Sequence, residues 1–109
     1  MNIFIYQQLA EKTEKQMDLP GRLQHGMLGI ITEAGELGDT VKKHVIYGQE
    51  LDVANLQEEI GDILWYLAVI ANATGINLSR AASDNIAKLQ KRYPEAYSDA
   101  AAAARLDKQ

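Results

Sequence analysis

From Pro20 to Pro94 no proline interrupts the chain, and across that interval apolar residues recur every three or four positions with no strand-like alternation of any length. That pattern admits helices and little else, so the sequence predicts an all-α fold, an antiparallel four-helix bundle. The spacing predicts a first helix from Ile3 to about Gln16, with Glu11, Lys12, Glu14 and Lys15 largely solvated, and a second from about Gly21 to His44. "VIYGQELD" then forms a loop in which Gly48 permits a turn and Asp52 caps the third helix, Val53 to about Thr74, with Gly75 just past its end. Ser79 is a candidate cap for the fourth helix, which Pro94 closes. Residues 1–97 are expected to form one domain, followed by an alanine-rich tail, 98–109, with the composition of a short, weakly docking helix.

Composition removes several classes of function. The chain has 109 residues, no cysteine and two histidines, so it offers no thiolate nucleophile and no typical zinc site, and any metal must be held by oxygen. A net charge of −4 argues against a polymeric nucleic acid partner, which needs a basic surface, but not against a small phosphate ligand bridged by a cation. No apolar run reaches the length of a membrane span, and the start "MNIFIYQQLAEKTEK" lacks the pattern of a secretory leader; a cytoplasmic protein is expected.

The unusual feature is acidic. "GIITEAGELGD", 29–39, and "LQEEIGDILWYL", 56–67, each place two carboxylates three residues apart beside an apolar helical stripe. At ~100° per residue, Glu59 falls on the edge of the third-helix stripe Leu56, Ile60, Ile63, Leu64, Leu67, Ile70 and Ala71, with Asp62 and Tyr66 just beyond, whereas Glu58 points away. In the second helix the stripe is Leu23, Met27, Ile30, Ala34, Leu37 and Val41, and Glu33 and Glu36 share an adjacent face continued by Thr40. Traced backward, that face carries Gly29, Gly26 and Arg22; two helical glycines suggest space for a ligand, a pocket floor. The fourth helix has an apolar stripe, Ala82, Ile86, Leu89 and Tyr93, flanked by the polar stripe Asn85, Lys88 and Arg92.

A single ExxE or ExxD is common on solvated helices. Two such pairs on consecutive antiparallel helices face each other and repel unless a cation lies between them; with oxygen donors alone the natural ion is Mg²⁺, with Mn²⁺ as a substitute. A di-iron bundle would need Glu-x-x-His, but the residues three beyond Glu33 and Glu59 are Glu36 and Asp62. Gln24 and His25 precede the first glycine: His25 fits either a surface position or a pocket mouth, and Tyr66 either packing or ligand contact. His44 reads as a solvated residue in a basic last turn, and Trp65 as a packing residue against another helix or subunit.

"EAGEL", "EEIGDILWYL" and "NIAKLQKRYPEAY", in that order over residues 23–97, resemble the MazG-like members of the all-α nucleoside triphosphate pyrophosphohydrolases. The resemblance implies Mg²⁺-dependent cleavage of a nucleoside triphosphate to the monophosphate and pyrophosphate, with a role in nucleotide-pool house-cleaning. It implies Glu33, Glu36, Glu59 and Asp62 as metal ligands, Asn85 and Lys88 as substrate contacts, and, within the same element, Arg92 and Tyr93. Tyr97 stands where the family pattern expects phenylalanine. Metal ions can neutralise the triphosphate and activate water, so no protein nucleophile is required, and Glu36 is the candidate general base. The resemblance further implies a homodimer or a tetramer of two dimers, with sites that draw on neighbouring chains. A phosphoribosyl-ATP pyrophosphohydrolase or a dimeric dUTPase would share the same metal site, and a non-enzymatic helical interaction module is the alternative from another class.

Overall fold

The computed structural model describes residues 1–108, which form α1 (Ile3–Glu11), α2 (Leu19–Val45), α3 (Val53–Thr74), α4 (Leu78–Arg92), a short α5 (Asp99–Ala104) and a 3-10 turn (Leu106–Lys108). Among them there is no strand, as the helical periodicity requires, and no helix is long and apolar enough to cross a membrane. The chain divides into two compact units, one of residues 1–76 and one beginning at residue 77.

In the first unit α3 packs against both α1 and α2. The α2–α3 pair is antiparallel: Gly26 lies beside Ile70, Gly29 beside Tyr66, and the Thr40 hydroxyl bonds the Asn55 side chain. The connecting loop follows the sequence. Gly48 adopts φ +67°, the His44 ring Nδ1–H donates to the Gln49 carbonyl at 2.7 Å, and Asp52 caps α3 by accepting from the Asn55 amide at 3.0 Å. His44 thus closes the loop and is more than a solvated end residue. Gly75 ends α3 at φ +75°.

Three boundaries differ from expectation, each because a stronger local signal lies nearby. The second helix begins two residues early because Asp18 accepts from the Gly21 amide at 2.9 Å and Pro20 is tolerated in a first turn. Helix α1 stops at Glu11, and the following segment turns to aim Glu14 inward. Asn77, not Ser79, caps α4, accepting from the Arg80 amide at 3.1 Å.

Glu14, expected in solvent, has a side chain only 5 % exposed. Its two oxygens receive Arg22 Nη2 at 3.2 Å and Asn72 Nδ2 at 3.1 Å, while Gln7 Nε2 donates to Asn72 Oδ1 and to the Ile76 carbonyl. Trp65 Nε1 donates to Thr13 Oγ1 at 2.8 Å across the same seam. This network satisfies the polar groups between α1 and α3. Glu14→Ala is therefore expected to leave Arg22 and Asn72 short of partners and to destabilise the fold by about 2 kcal/mol, read as a lower urea midpoint with unchanged slope.

In the second unit, Arg92 Nε and Nη2 clasp Asp107 at 2.7 and 3.0 Å, with the Asp107 side chain only 1 % exposed, and this fork ties the tail to α4. Tyr97 donates its hydroxyl to Asp99 at 2.6 Å, a bond phenylalanine at that position could not make, and its ring leans on Tyr93 at 5.2 Å.

Candidate functional site

The inner face of α2 decides where the acids lie. Gly26 and Gly29 are buried, whereas Met27 and Val41 of the expected apolar stripe stand 53 % and 42 % exposed. A Cβ on Gly26 would fall 2.5 Å from Ile70 Cγ1, and one on Gly29 would overlap the Tyr66 ring. The glycines therefore admit α3, not a ligand, and the pocket-floor expectation is corrected: the acid-bearing face of α2 is the face that meets α3.

One and two turns beyond Gly29 on this face come Glu33 and Glu36. Glu33 and, from α3, Glu59 and Asp62 each present a carboxylate oxygen within 4.8 Å of the others. Glu59 is 7 % exposed and its neighbour Glu58 is exposed. Oε2 of Glu33 and Oε2 of Glu59 are both buried without a hydrogen-bond partner, an arrangement that costs free energy unless something positive or a proton reaches them. The hydrogen bond with Glu59, burial, and the charges of Glu36 and Glu59 push the Glu33 carboxyl from an ordinary 4.5 up to about 7. The donor set, all oxygen, with two buried carboxylate oxygens that lack a partner, fits a hard divalent cation.

Glu36 and Glu59 also line an open cleft of about 690 Å³ beside the α2–α3 loop, with Thr40, Lys43 and Asn55 on its walls. Lys43 holds Asp39 at 3.1 Å, and that contact keeps the Asp39 carboxyl below the usual carboxylate range. A volume of this size accommodates a small-molecule ligand. The sequence does not single out Asn55, Thr40 or Lys43 as site residues, although Asn55 precedes Glu59 by one helical turn and shares its phase. Tyr6 is a further neighbour: burial, then the Asp62 charge, raises its phenol pKa.

Gln24 is exposed, and His25 stands edge-on to Trp65 and Tyr66 at 5.8 and 5.5 Å, so these three rings pack as a cluster. Asn85 and Lys88 are exposed on α4, in the second unit, where Arg92 is engaged by Asp107 and Tyr93 by Tyr97.

The Glu33 shift has a thermodynamic consequence. Between about pH 4.5 and 7 the folded metal-free protein holds a proton that the unfolded chain has released, so stability falls as pH rises through that window. Asp107, held down to about 2 by Arg92, is ionised throughout the window and contributes only below it. Melting in a chelator is expected at a lower temperature at pH 8 than at pH 5.5, and Mg²⁺ should raise the pH 8 value more than the pH 5.5 value.

Comparison with known proteins places this geometry. A "Gene 37 protein" of Mycobacterium phage L5 is 35 % identical over 103 residues, covering 84 % of this chain and 89 % of the phage protein. No solved structure matches. The model of the MazG nucleotide pyrophosphohydrolase domain matches residues 23–97, the span that carries both acid pairs and the Asn-x-x-Lys element, and the chain belongs to that family.

Proposed function

We propose that the protein is a Mg²⁺-dependent nucleoside triphosphate pyrophosphohydrolase, with Mn²⁺ as a substitute ion, that converts a ribo- or deoxyribonucleoside triphosphate and water to the monophosphate and pyrophosphate. The observation that carries this reading is the convergence of Glu33, Glu59 and Asp62 with two orphaned carboxylate oxygens, beside a cleft that Glu36 and Glu59 line. When bound, the cation supplies charge neutralisation of the triphosphate and acidification of water. Glu33, Glu59 and Asp62 would hold it, and Glu36 would complete the set. In the reaction a water oxygen bonds to the α-phosphorus as the bond from that phosphorus to the α–β bridging oxygen breaks, and the pyrophosphate leaves with the bridging oxygen. Glu36, exposed at the cleft, accepts the water's proton.

Family membership supports Asn85 and Lys88 as contacts to the substrate, with Lys88 stabilising charge on the departing pyrophosphate. Gln24, His25 and Tyr66 are assigned to the nucleoside end. Arg92 and Tyr93 belong to the same element and are proposed as further substrate contacts, with Arg92 also anchoring the tail through Asp107. The enzyme acts as a dimer or a dimer of dimers on the cytoplasmic nucleotide pool, removing unwanted nucleotides. A panel of standard and modified ribo- and deoxyribonucleoside triphosphates, with dUTP and phosphoribosyl-ATP included, tests this reading. Pyrophosphate release that requires Mg²⁺ supports it and ranks the substrates. Absence of release from every member of the panel would leave the interaction-module alternative.

A further inference from the structure

The cleft beside the acids has a wall of one chemical kind. Residues of α2, of the connecting loop and of α3 form it, and among the described residues none on that wall carries an aliphatic or aromatic side chain, while Lys43 is its one cation. Along the antiparallel α2–α3 seam Gly29 lies against Tyr66, the acids follow, and Thr40 then meets Asn55 before the loop. The cleft occupies the loop end of that order, and the rings of His25, Trp65 and Tyr66 cluster at the other. A molecule with a charged tail at one end and a flat ring at the other has one favourable direction along such a seam.

Asn55, half-buried on that wall, presents a donor to it. The Thr40 hydroxyl donates to the Asn55 side-chain oxygen and lies 3.2 Å from the Glu36 carbonyl. With the oxygen engaged, Nδ2 is the branch left to the cleft, and it has no partner among the described residues. Lys43 stands one turn beyond Thr40. Asp39 holds it at 3.1 Å, but its side chain is 55 % exposed, and a flexible four-carbon stem lets the ammonium exchange that carboxylate for a phosphate. Asp39 then keeps Lys42, at 3.7 Å, and Asp52 is already engaged as the cap of α3.

We infer that a nucleoside triphosphate lies along this seam with its nucleoside toward His25 and Tyr66 and its β and γ phosphates in the cleft, where the Asn55 amide and the Lys43 ammonium bind the oxygens that depart as pyrophosphate. This deepens the proposed function and rests on it. Were the Thr40–Asn55 bond only a tie between helices, replacing the amide by a carboxylate would leave ligand binding alone, because the tie uses the oxygen.

Asn55→Asp keeps the acceptor for Thr40, and a carboxylate in the first turn of α3 favours the helix, so this variant is expected to fold as the native chain does. Titration calorimetry in Mg²⁺, with inorganic pyrophosphate and then each common nucleoside monophosphate as probes, compares it and Lys43→Ala with the native protein. Each substitution is expected to weaken pyrophosphate binding by about tenfold or more and to change monophosphate binding by less than about twofold. A native protein that does not bind pyrophosphate, or unchanged pyrophosphate binding in both variants, would overturn the inference. So would a loss confined to the monophosphates, the mark of the reverse direction. Pyrophosphate binding that depends on Asn55 and Lys43, in a protein that releases pyrophosphate from no triphosphate, would instead remove the proposed function and leave the phosphate site standing.

Discussion

Glu59→Gln is expected to lower pyrophosphate release by about a hundredfold to a thousandfold while raising the melting temperature of the metal-free protein. The two effects share one cause. Glu59 holds a buried carboxylate oxygen with no partner, close to the carboxylates of Glu33 and Asp62, and this concentration of charge is unfavourable until a cation neutralises it. Glutamine removes the charge, so the site relaxes; on the proposed reading it would also remove a strong oxygen ligand to Mg²⁺ and with it the ion's contribution to the transition state. Glu33→Gln and Asp62→Asn are expected to follow the same two directions. Glu58→Gln, one position away and exposed, should change neither quantity appreciably. Steady-state kinetics and melting curves in a chelator measure both. A loss of activity accompanied by a loss of stability would point to a structural carboxylate instead.

Gly29→Leu is expected to destabilise the protein by at least about 3 kcal/mol, enough to unfold a small domain of ordinary stability. Even the first carbon of the new side chain would overlap the Tyr66 ring, and that ring is held on its other sides by His25 and Trp65. Gly29→Ala should incur a smaller version of the same clash, and Tyr66→Ala in the same chain should recover part of it, a coupling that a double-mutant cycle measures. Gly61 supplies the control: a Cβ there meets nothing within 4 Å, so Gly61→Ala should stabilise by up to about 1 kcal/mol. Equal responses at Gly29 and Gly61 in chemical denaturation would contradict the close α2–α3 approach described above.

These two positions also mark what the sequence reveals and what it hides. Helical phase separates Glu59 from Glu58 and places Glu33 and Glu36 together, because that calculation needs only the 3.6-residue repeat. Caps at Asp52 and Gly75 are legible because their chemistry is local. Phase does not say which face of α2 meets α3. The apolar stripe from Met27 to Val41 looks like the inner face, and only the structure reveals that two glycines, by allowing a closer approach, draw α3 to the acid face and leave much of that stripe outside. The Glu14 network is hidden because it depends on a turn after Glu11 that an unbroken helical pattern conceals. Asn55 is hidden because an amide without a partner motif carries little signal, although its phase matches Glu59.

The central claim is that the four carboxylates direct water to the α-phosphorus of a nucleoside triphosphate. The most direct test is ³¹P NMR of a triphosphate with Mg²⁺ and the native protein, beside the Asp62→Asn variant. Monophosphate and pyrophosphate should appear in equal amounts with the native protein, and next to nothing with the variant. Diphosphate and orthophosphate as the products, or undiminished turnover by Asp62→Asn, would contradict the account.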